Sequence, residues 1–337
     1  MRLVSAAIFF AFAEAALACE FCAVYNADNA ARHSNQGLWF TISEQYIPYR
    51  TVQFEGEEVT VNNPAYLDRS ITHLVPGYNF SSRFGVSVNI PLTYINFRRS
   101  DLRYSATAPP VFETETGTDF GLGDVSLITR FVVFEKSTMQ YSTVVTLLGA
   151  AKFPTGDSSR IKDEVEQTKI FESLLPPGTP HDPLSHSIAS VHQHDLALGS
   201  GSYDGIFGLT ASGRWHRYFL NGQFQYYLRT EGESGFEYGD EIMVSGGPGA
   251  FVWLTEDSGT LSLQANAVYD TMAHDKILGR SSELTGQTGW YIGPLLNFTW
   301  GQKFSANAGI DIPLHIENNG FQNVANFIFH GGLSWRF

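Results

Sequence analysis

The sequence has little of what several protein classes need. Only two of its 337 residues are cysteine, and charged residues make up 16%. It contains no internal run of about 20 apolar residues, so a helical membrane protein is not expected. Acidic residues outnumber lysine and arginine by 34 to 21, which gives a net charge of −13. Nucleic acid is therefore not expected as a partner, because phosphate binding needs clustered positive charge.

Aromatic residues and glycine, by contrast, are abundant. Aromatics reach 14% and glycine 32 residues, while the mean hydropathy is only −0.11. A disordered chain would contain few aromatics. Many aromatics at average hydropathy are typical of a β-barrel that faces lipid outside and water inside.

The first 18 residues are predicted to be a cleaved secretory signal. Arg2 supplies a positive start, an apolar stretch covers residues 3–12, and residues 16–18 are Ala-Leu-Ala before Cys19. The alternative, a short N-terminal membrane anchor, is disfavoured because the apolar stretch is too short to span a bilayer. Residues 19–37 are predicted to be a periplasmic segment, followed by a barrel over 38–337.

Cys19 and Cys22 leave three interpretations open. They can form a local disulfide in an oxidising compartment, Cys19 can carry a lipid, or the pair can take part in metal binding or redox chemistry. Covalent haem attachment is disfavoured because residue 23 is Ala where a His is required.

Apolar and polar residues alternate with period two through most of the chain beyond residue 37. In 218–230, for example, Leu220 and Phe224 share one face and Gln223 and Gln225 the other. This is the period of β-strands, and the runs have the length of tilted membrane strands. Twelve strands are predicted: 38–49, 70–81, 84–97, 122–135, 140–153, 204–216, 218–230, 241–255, 259–271, 288–300, 303–315 and 325–337.

Short connections alternate with long ones, which predicts an antiparallel transmembrane β-barrel with short periplasmic turns and long extracellular loops. The apolar face is expected to point outward, because the opposite face carries amides and charges that would be costly in a dry core. The polar residues expected to line the lumen are Asn221, Gln223, Gln225, Arg229, Gln264, Asn266, Asn297, Asn307 and Asp311.

The longest connection, 154–203, is the one large enough to hold a function of its own. It contains His181, His186, His192 and His194, and imidazoles are good ligands for zinc, copper or nickel. The alternative is a solvated polar loop. A divalent metal is therefore the one cofactor considered.

The chain ends in Leu333-Ser334-Trp335-Arg336-Phe337. A terminal Phe preceded by alternating apolar residues resembles the signal read by the outer-membrane barrel assembly machinery, so Leu333, Trp335 and Phe337 are predicted to form that signal. Acidic residues in the long loops, among them Glu113 and Glu233, are expected to bind the divalent ions that bridge lipopolysaccharide. Solubility of surface loops explains them equally well.

Several short segments follow one another in a characteristic order and spacing. They are residues 88–92, 121–125, 152–157, 194–209 with Gly199-Ser200-Gly201-Ser202-Tyr203-Asp204 and Gly208-Leu209 inside it, and 239–241. Together they resemble the outer-membrane family labelled as transporters of the MetA pathway of phenol degradation. The resemblance implies a barrel of about twelve strands and passage of small, hydrophobic or aromatic compounds.

Two functions follow as hypotheses. The first is a channel for small solutes in the outer membrane of a Gram-negative bacterium. The second is a non-transport barrel that binds a transition metal or a periplasmic partner through its His-rich loop and its Cys segment. No enzyme is predicted, because the sequence has no diagnostic motif such as Gly-x-Ser-x-Gly.

Overall fold

The computed structural model describes residues 36–337 except 139, 256–258 and 302. Each of the twelve strands predicted from the period-two pattern is present, and the predicted all-β barrel is confirmed. In chain order the barrel strands are β1 (Gly37–Phe54), β2 (Tyr66–Asn79), β3 (Phe84–Arg103), β4 (Val125–Ser137), β5 (Tyr141–Phe153), β6 (Asp204–Trp215), β7 (Tyr218–Leu228), β8 (Glu241–Thr255), β9 (Gly259–Met272), β10 (Gln287–Trp300), β11 (Phe304–Asn318) and β12 (Ile328–Arg336).

The barrel closes between its first and last strands. Each strand pairs antiparallel with its sequence neighbours, and β1 also pairs with β12, where Trp39 lies opposite Arg336 and Tyr46 opposite Phe329. Closure leaves the barrel without an open sheet edge. The even strand number puts the start of β1 and the end of β12 on the same side, together with the short turns. That side is periplasmic, and the long loops are extracellular.

The outer surface of the barrel is apolar and its interior is polar. Phe224 and Leu263 are 41% and 48% exposed, whereas their neighbours Gln225 and Gln264 are 0% and 2% exposed. A water-soluble barrel would show the reverse arrangement. Because successive residues of a strand point to opposite faces, the alternation in sequence becomes a lipid-facing outside and an enclosed polar inside.

Aromatic rings collect at both ends of the lipid-facing surface. Near the periplasmic turns, Trp253 and Trp300 have ring centroids 6.4 Å apart. Near the extracellular loops, Tyr269 and Trp290 are 4.9 Å apart. Such girdles lie at the two membrane interfaces, where an aromatic ring contacts lipid tails on one side and head groups and water on the other.

The predicted loop 98–121 is instead a hairpin that extends the wall above the membrane. Strand β3 continues to Arg103, and a further strand, Val111–Leu122, pairs back on it. The residues of that strand are exposed or half-buried on both faces. A strand without a buried face has no need for an apolar side, so it gives no period-two signal.

The connection 154–203 contains a helix that the strand pattern did not predict. Helix α1 (Ser159–Leu174) buries Ile161, Val165 and Thr168 on one face, and a short 3₁₀ helix covers His194–Leu196. An apolar stripe of two residues in a polar sequence is too narrow to indicate a helix. In the described part of the chain, no helix has the length and apolarity to cross a membrane.

The extracellular loops pack over α1. Three short strands, Phe236–Glu237, Lys276–Ile277 and Arg280–Ser281, form a small separate sheet. Phe236 and Ile277 from this sheet pack against Ile161 and Val165 of α1. The helix is therefore enclosed by loops rather than lying free above the barrel.

A β-bulge reverses one predicted side-chain direction. The period-two pattern places His315 on the inner face of β11, but its side chain is 53% exposed, and Ile316 is buried instead. The register between β10 and β11 shifts between Trp290, which lies opposite His315, and Tyr291, which lies opposite Pro313. The extra residue inverts the alternation beyond that point.

Candidate functional site: the lumen and its plug

Residues 154–203, called the plug below, fold into the extracellular half of the lumen. Val191 and Leu196 of the plug are 1% and 0% exposed and belong to one buried apolar cluster with inward side chains of the wall. These wall residues come from ten of the twelve barrel strands and the short strand Phe321–Ala325: Ile47, Tyr49, Leu67, Ile95, Phe97, Ile206, Tyr227, Met243, Val268, Tyr291, Ile316, Val324, Ala325 and Ile328. The plug therefore crosses the lumen and contacts nearly its whole circumference.

Wall side chains also bind the plug backbone. Arg99 Nε donates to the carbonyl of Val191 at 3.0 Å, and Arg69 donates to the carbonyl of Asp195. The backbone nitrogen of Asn323 donates to the carbonyl of Ser190 at 2.8 Å. These bonds satisfy carbonyls that would otherwise be buried in the lumen without a partner, which is costly.

The two ends of the plug meet at one point of the wall. Asp124, just before β4, accepts bonds from the backbone nitrogens of Gly156 at 3.0 Å and Ser200 at 2.7 Å. A Cβ on Gly156 would lie 2.7 Å from the Cα of Gly199, so the two chain segments pass too closely for a side chain. Asp157 reinforces the junction by accepting bonds from the backbone nitrogens of residues 198 and 199, both at 3.1 Å.

A buried network of charges lies beside this junction. Lys152 is 2.8 Å from Asp204 and 3.4 Å from Asp124, and Arg229 is 2.7 Å from Glu241 and 3.7 Å from Asp204. Arg229 belongs to the set predicted to face the lumen, but neither its two partners, Asp204 and Glu241, nor the other two members of the network were predicted to meet it. They come from separate strands, and a single sequence gives no signal of such long-range pairing.

Four of the five segments that carry the family resemblance converge here. Asp124, Lys152, Gly156, Asp204 and Glu241 belong to four separate stretches of sequence and meet within one network of ion pairs and hydrogen bonds. Their order and spacing along the chain therefore correspond to a single structural unit, the junction between wall and plug. A polar cavity of about 100 Å³ adjoins this unit, lined in part by Arg69, Lys152, Arg229, Tyr238 and Glu241.

The polar residues predicted to line the lumen lie on the inner side or are half-buried. Gln223, Gln225, Gln264, Asn266 and Asp311 are buried, and Asn221, Arg229, Asn297 and Asn307 are half-buried. Two pairs bind each other: Asn221 donates to Gln264 at 3.1 Å, and Asn266 donates to Asp311 at 3.2 Å. That these residues line a path for solutes stays a prediction.

Further polar residues of the lumen, in β1, β2 and β12, were not among those predicted. Gln45 and His73 are 0% exposed, and His330 Nε2 lies 3.0 Å from Asp311. The side-chain amides of Gln45, Gln223 and Gln225 have no hydrogen-bond partner among the described residues. Unpaired amides are costly in a dry interior, so these are positions where a bound water or a polar solute would be stabilised.

The structure brings together two of the four histidines considered as metal ligands. His192 and His194 are stacked with ring centroids 5.3 Å apart, and both face Glu164 of α1. His181 instead lies 3.4 Å from Glu172, and His186 Nδ1 lies 3.1 Å from the carbonyl of residue 183. Glu164 was not predicted as a member, because its helix was not predicted.

The Glu164 and His194 pair is strongly polarised. Burial by itself lowers the pKa of His194, but the carboxylates of Glu164 and Asp195 outweigh it and raise this pKa to about 10. Burial raises the pKa of Glu164, yet the two imidazoles hold it well below its ordinary value. The histidines are buried at the extracellular side, so they do not offer a surface to a periplasmic partner.

The acidic residues of the extracellular loops are largely used within the protein. Glu115 and Asp119 both bind Arg160 of α1, at 2.7 and 2.9 Å, and Glu237 binds Lys276 at 2.6 Å. These pairs hold the hairpin and the small sheet against the plug. Binding of lipopolysaccharide through bridging ions stays a prediction.

Only the C-terminal end of the chain lies within the described residues. Residues 1–18, the predicted signal, lie outside the described residues, as do Cys19 and Cys22. At the other end, Leu333 and Phe337 are 44% and 78% exposed, and Trp335 packs against Phe304 with ring centroids 5.6 Å apart. The last strand thus presents its apolar side outward.

A solved outer-membrane protein has a similar fold. An outer membrane channel from Pseudomonas putida F1 is 12% identical, with 90% of this chain and 96% of that chain covered and a TM-score of 0.58. The β-domain of a Bordetella autotransporter is 11% identical, covers 90% of this chain and 100% of its own, and has a TM-score of 0.43. No family model and no curated protein matches the chain.

Fold and surface together define the class of the protein. A closed twelve-stranded antiparallel barrel with an apolar outer face and two aromatic girdles is an outer-membrane β-barrel of a Gram-negative bacterium. Membership of the phenol-degradation transporter family, which the sequence motifs suggested, is not confirmed beyond this barrel class.

Proposed function

We propose that this protein is an outer-membrane channel for small solutes whose lumen is occluded by the plug. The observation that carries the proposal is the combination of an enclosed polar interior with a plug whose two ends leave and rejoin the wall at a single junction. A barrel that served only as an anchor would need neither unpaired amides inside nor a separable insertion. The similarity to an outer membrane channel supports the same class of function.

We propose further that the solutes are small and polar. The inner face of the wall carries amides and hydroxyls, among them Thr41, Gln45, Thr146, Thr210 and Gln225, all enclosed within the barrel. Such a lining replaces part of the hydration of a polar solute, whereas it gains nothing from an aromatic one. The resemblance implies hydrophobic or aromatic solutes instead. Uptake of phenol is therefore compared with uptake of small sugars and amino acids, and the sugars and amino acids are expected to enter faster.

A cysteine at the inner wall tests conduction through the lumen. In a variant that lacks residues 158–197 of the plug and carries Cys19→Ser and Cys22→Ser, Gln225→Cys is treated with a charged methanethiosulfonate reagent. Because Gln225 is fully enclosed in the barrel, the added bulk and charge are expected to lower ion current by about twofold or more. Current is measured in planar lipid bilayers before and after treatment.

The matched control is Phe224→Cys, one residue earlier on β7. Its side chain faces lipid, so the same treatment is expected to leave the current unchanged. Equal effects on both variants, or no current in the wild type and in a variant without the plug, would contradict a conducting lumen.

We also propose that the barrel assembly machinery reads the C-terminal strand. Phe337 is bound through its backbone nitrogen to the carbonyl of Leu38 at 3.0 Å, while its ring is exposed and contributes little to the fold. Phe337→Ala is therefore expected to reduce the amount of folded protein in the outer membrane severalfold without changing refolding in detergent. Heat-modifiable migration in gels measures both quantities, and equal amounts in cells would contradict this role.

A further inference from the structure

Three side chains in the plug form a compact set of metal-ligand types. Glu164 on α1, His192 and His194 each offer one ligand atom, and these atoms all lie within 4.8 Å of one another. Glu164 Oε2 is 2.6 Å from His194 Nδ1, and Glu164 Oε1 is 3.5 Å from His192 Nδ1. Ligands of a tetrahedral zinc ion with bonds of about 2.0–2.1 Å are about 3.3 Å apart, so small side-chain shifts bring this set around one ion.

His192 supplies an independent indication of a ligand. Its side chain is 7% exposed, and its Nδ1 is buried without a hydrogen-bond partner among the described residues. The nitrogen is aimed toward Glu164, and its 3.5 Å separation from that carboxylate is too long for a good hydrogen bond. An unpaired buried imidazole nitrogen is costly, and a metal ion at this position would satisfy it.

Carboxylates face both ring nitrogens of His194. Its Nδ1 faces Glu164, while its Nε2 lies 3.6 Å from both Asp195 and Asp275, so a small movement of the ring would let it donate to one of them. Metal-bound histidines commonly donate their second ring N–H to a carboxylate, which fixes the ring orientation. The backbone nitrogen of His194 also donates to Glu164 Oε2 at 2.9 Å, which orients the carboxylate.

An ion can reach the set from the extracellular side. Glu164 also lines a cavity of about 50 Å³ together with Arg103 and Asp163, and these two side chains are 48% and 31% exposed. The ligands themselves are in place before an ion arrives, because α1 is held by Arg160 and by the ion pair between Arg103 and Asp163.

We propose that Glu164, His192 and His194 bind one divalent transition-metal ion of the zinc class inside the plug. Two imidazoles and one carboxylate without sulfur suit zinc, which also uses His₂Glu sets in proteins, and leave one position for water. Binding replaces the proton that His194 Nδ1 shares with Glu164, and this proton is released to solvent. The ion joins α1 to the segment that fills the lumen, so it fixes the two halves of the plug to each other.

Calorimetric titration with zinc chloride tests the site. The protein carries Cys19→Ser and Cys22→Ser and has no histidine tag, so that no other strong zinc ligands are added. It is refolded in detergent without lipopolysaccharide, and a chelator removes bound metal before the titration. We expect one zinc ion per chain with a micromolar or lower Kd. Glu164→Gln and His192→Gln are each expected to weaken binding by about tenfold or more, since each removes one of three ligands and even changes to the groups around the ligands cost about 10–100-fold.

The controls are His181→Gln and His186→Gln, which alter histidines of the same plug outside the set. Both are expected to keep the wild-type affinity within about twofold, because neither supplies a ligand. Cobalt(II) added to the Cys-free parent protein is expected to give the visible absorption of a four- or five-coordinate site. This measurement uses no plug variant, so it remains valid even if a ligand variant fails to fold. Failure of zinc to bind, retained binding in both ligand variants, or equal loss in the His181 control would overturn the proposal.

Discussion

Removal of the plug is expected to raise the single-channel conductance by about tenfold or more, because a twelve-stranded barrel without it encloses a continuous wet lumen. The variant deletes residues 158–197 and joins Asp157 to Leu198 through two glycines. The chain allows this excision, since the carbonyl of Asp157 already accepts a bond from the backbone nitrogen of Leu198 at 3.1 Å. Conductance is recorded in planar bilayers with the purified protein.

The control for this deletion shortens the exposed hairpin tip, with residues 106–109 replaced by two glycines. These residues are exposed, above the membrane and outside the lumen. We expect the wild-type conductance in this control and the larger value only when the plug is absent. Equal, low conductance in both variants would mean that the lumen is closed by its own side chains.

Replacement of Lys152 by Met is expected to lower the free energy of unfolding by about 3–5 kcal/mol, the usual cost of removing one partner of a buried ion pair. The Lys152 and Asp204 side chains are 2% and 0% exposed, and Asp124 beside them is 2% exposed. Without the ammonium, both carboxylates lose their nearest cation. Urea unfolding in detergent micelles, followed by tryptophan fluorescence, measures the difference.

The matched control is Lys276→Met, which breaks an ion pair of similar length with Glu237. Lys276 is 48% exposed, so water screens the pair and the expected loss is below about 1 kcal/mol. In addition, Asp204→Asn combined with Lys152→Met is expected to recover part of the stability, because it removes one of the two uncompensated charges. A loss for Lys152→Met no larger than that of the control would contradict the role of the network.

The barrel could be predicted from sequence because its physical signal is local. Lipid on one side and an enclosed interior on the other impose the alternation of Leu263 with Gln264 within a few residues. The outward direction of the apolar face followed from the cost of burying amides in a dry core. Residue His315 shows the limit, since a single inserted residue inverts every later side chain of the strand, and no composition signal marks the bulge.

Fewer of the contacts inside the lumen could be predicted from the sequence. Two of the four candidate histidines, His192 and His194, lie together, whereas Glu164 was missed because a polar helix enclosed by loops shows no wide apolar stripe. The ion pair between Lys152 and Asp204 joins strands whose contact depends on barrel closure. Such pairings are set by the folded wall and leave no trace in the local pattern.

The contact between Gly156 and Gly199 has a consequence for how this protein can change. Because the chain leaves the wall and returns to it at adjacent points, the length of polypeptide inserted between them does not set the register of the flanking strands. Foreign domains, shorter lids or affinity tags can in principle be grafted there without altering strand register. The position is thus a natural site for the diversification and the engineering of this scaffold.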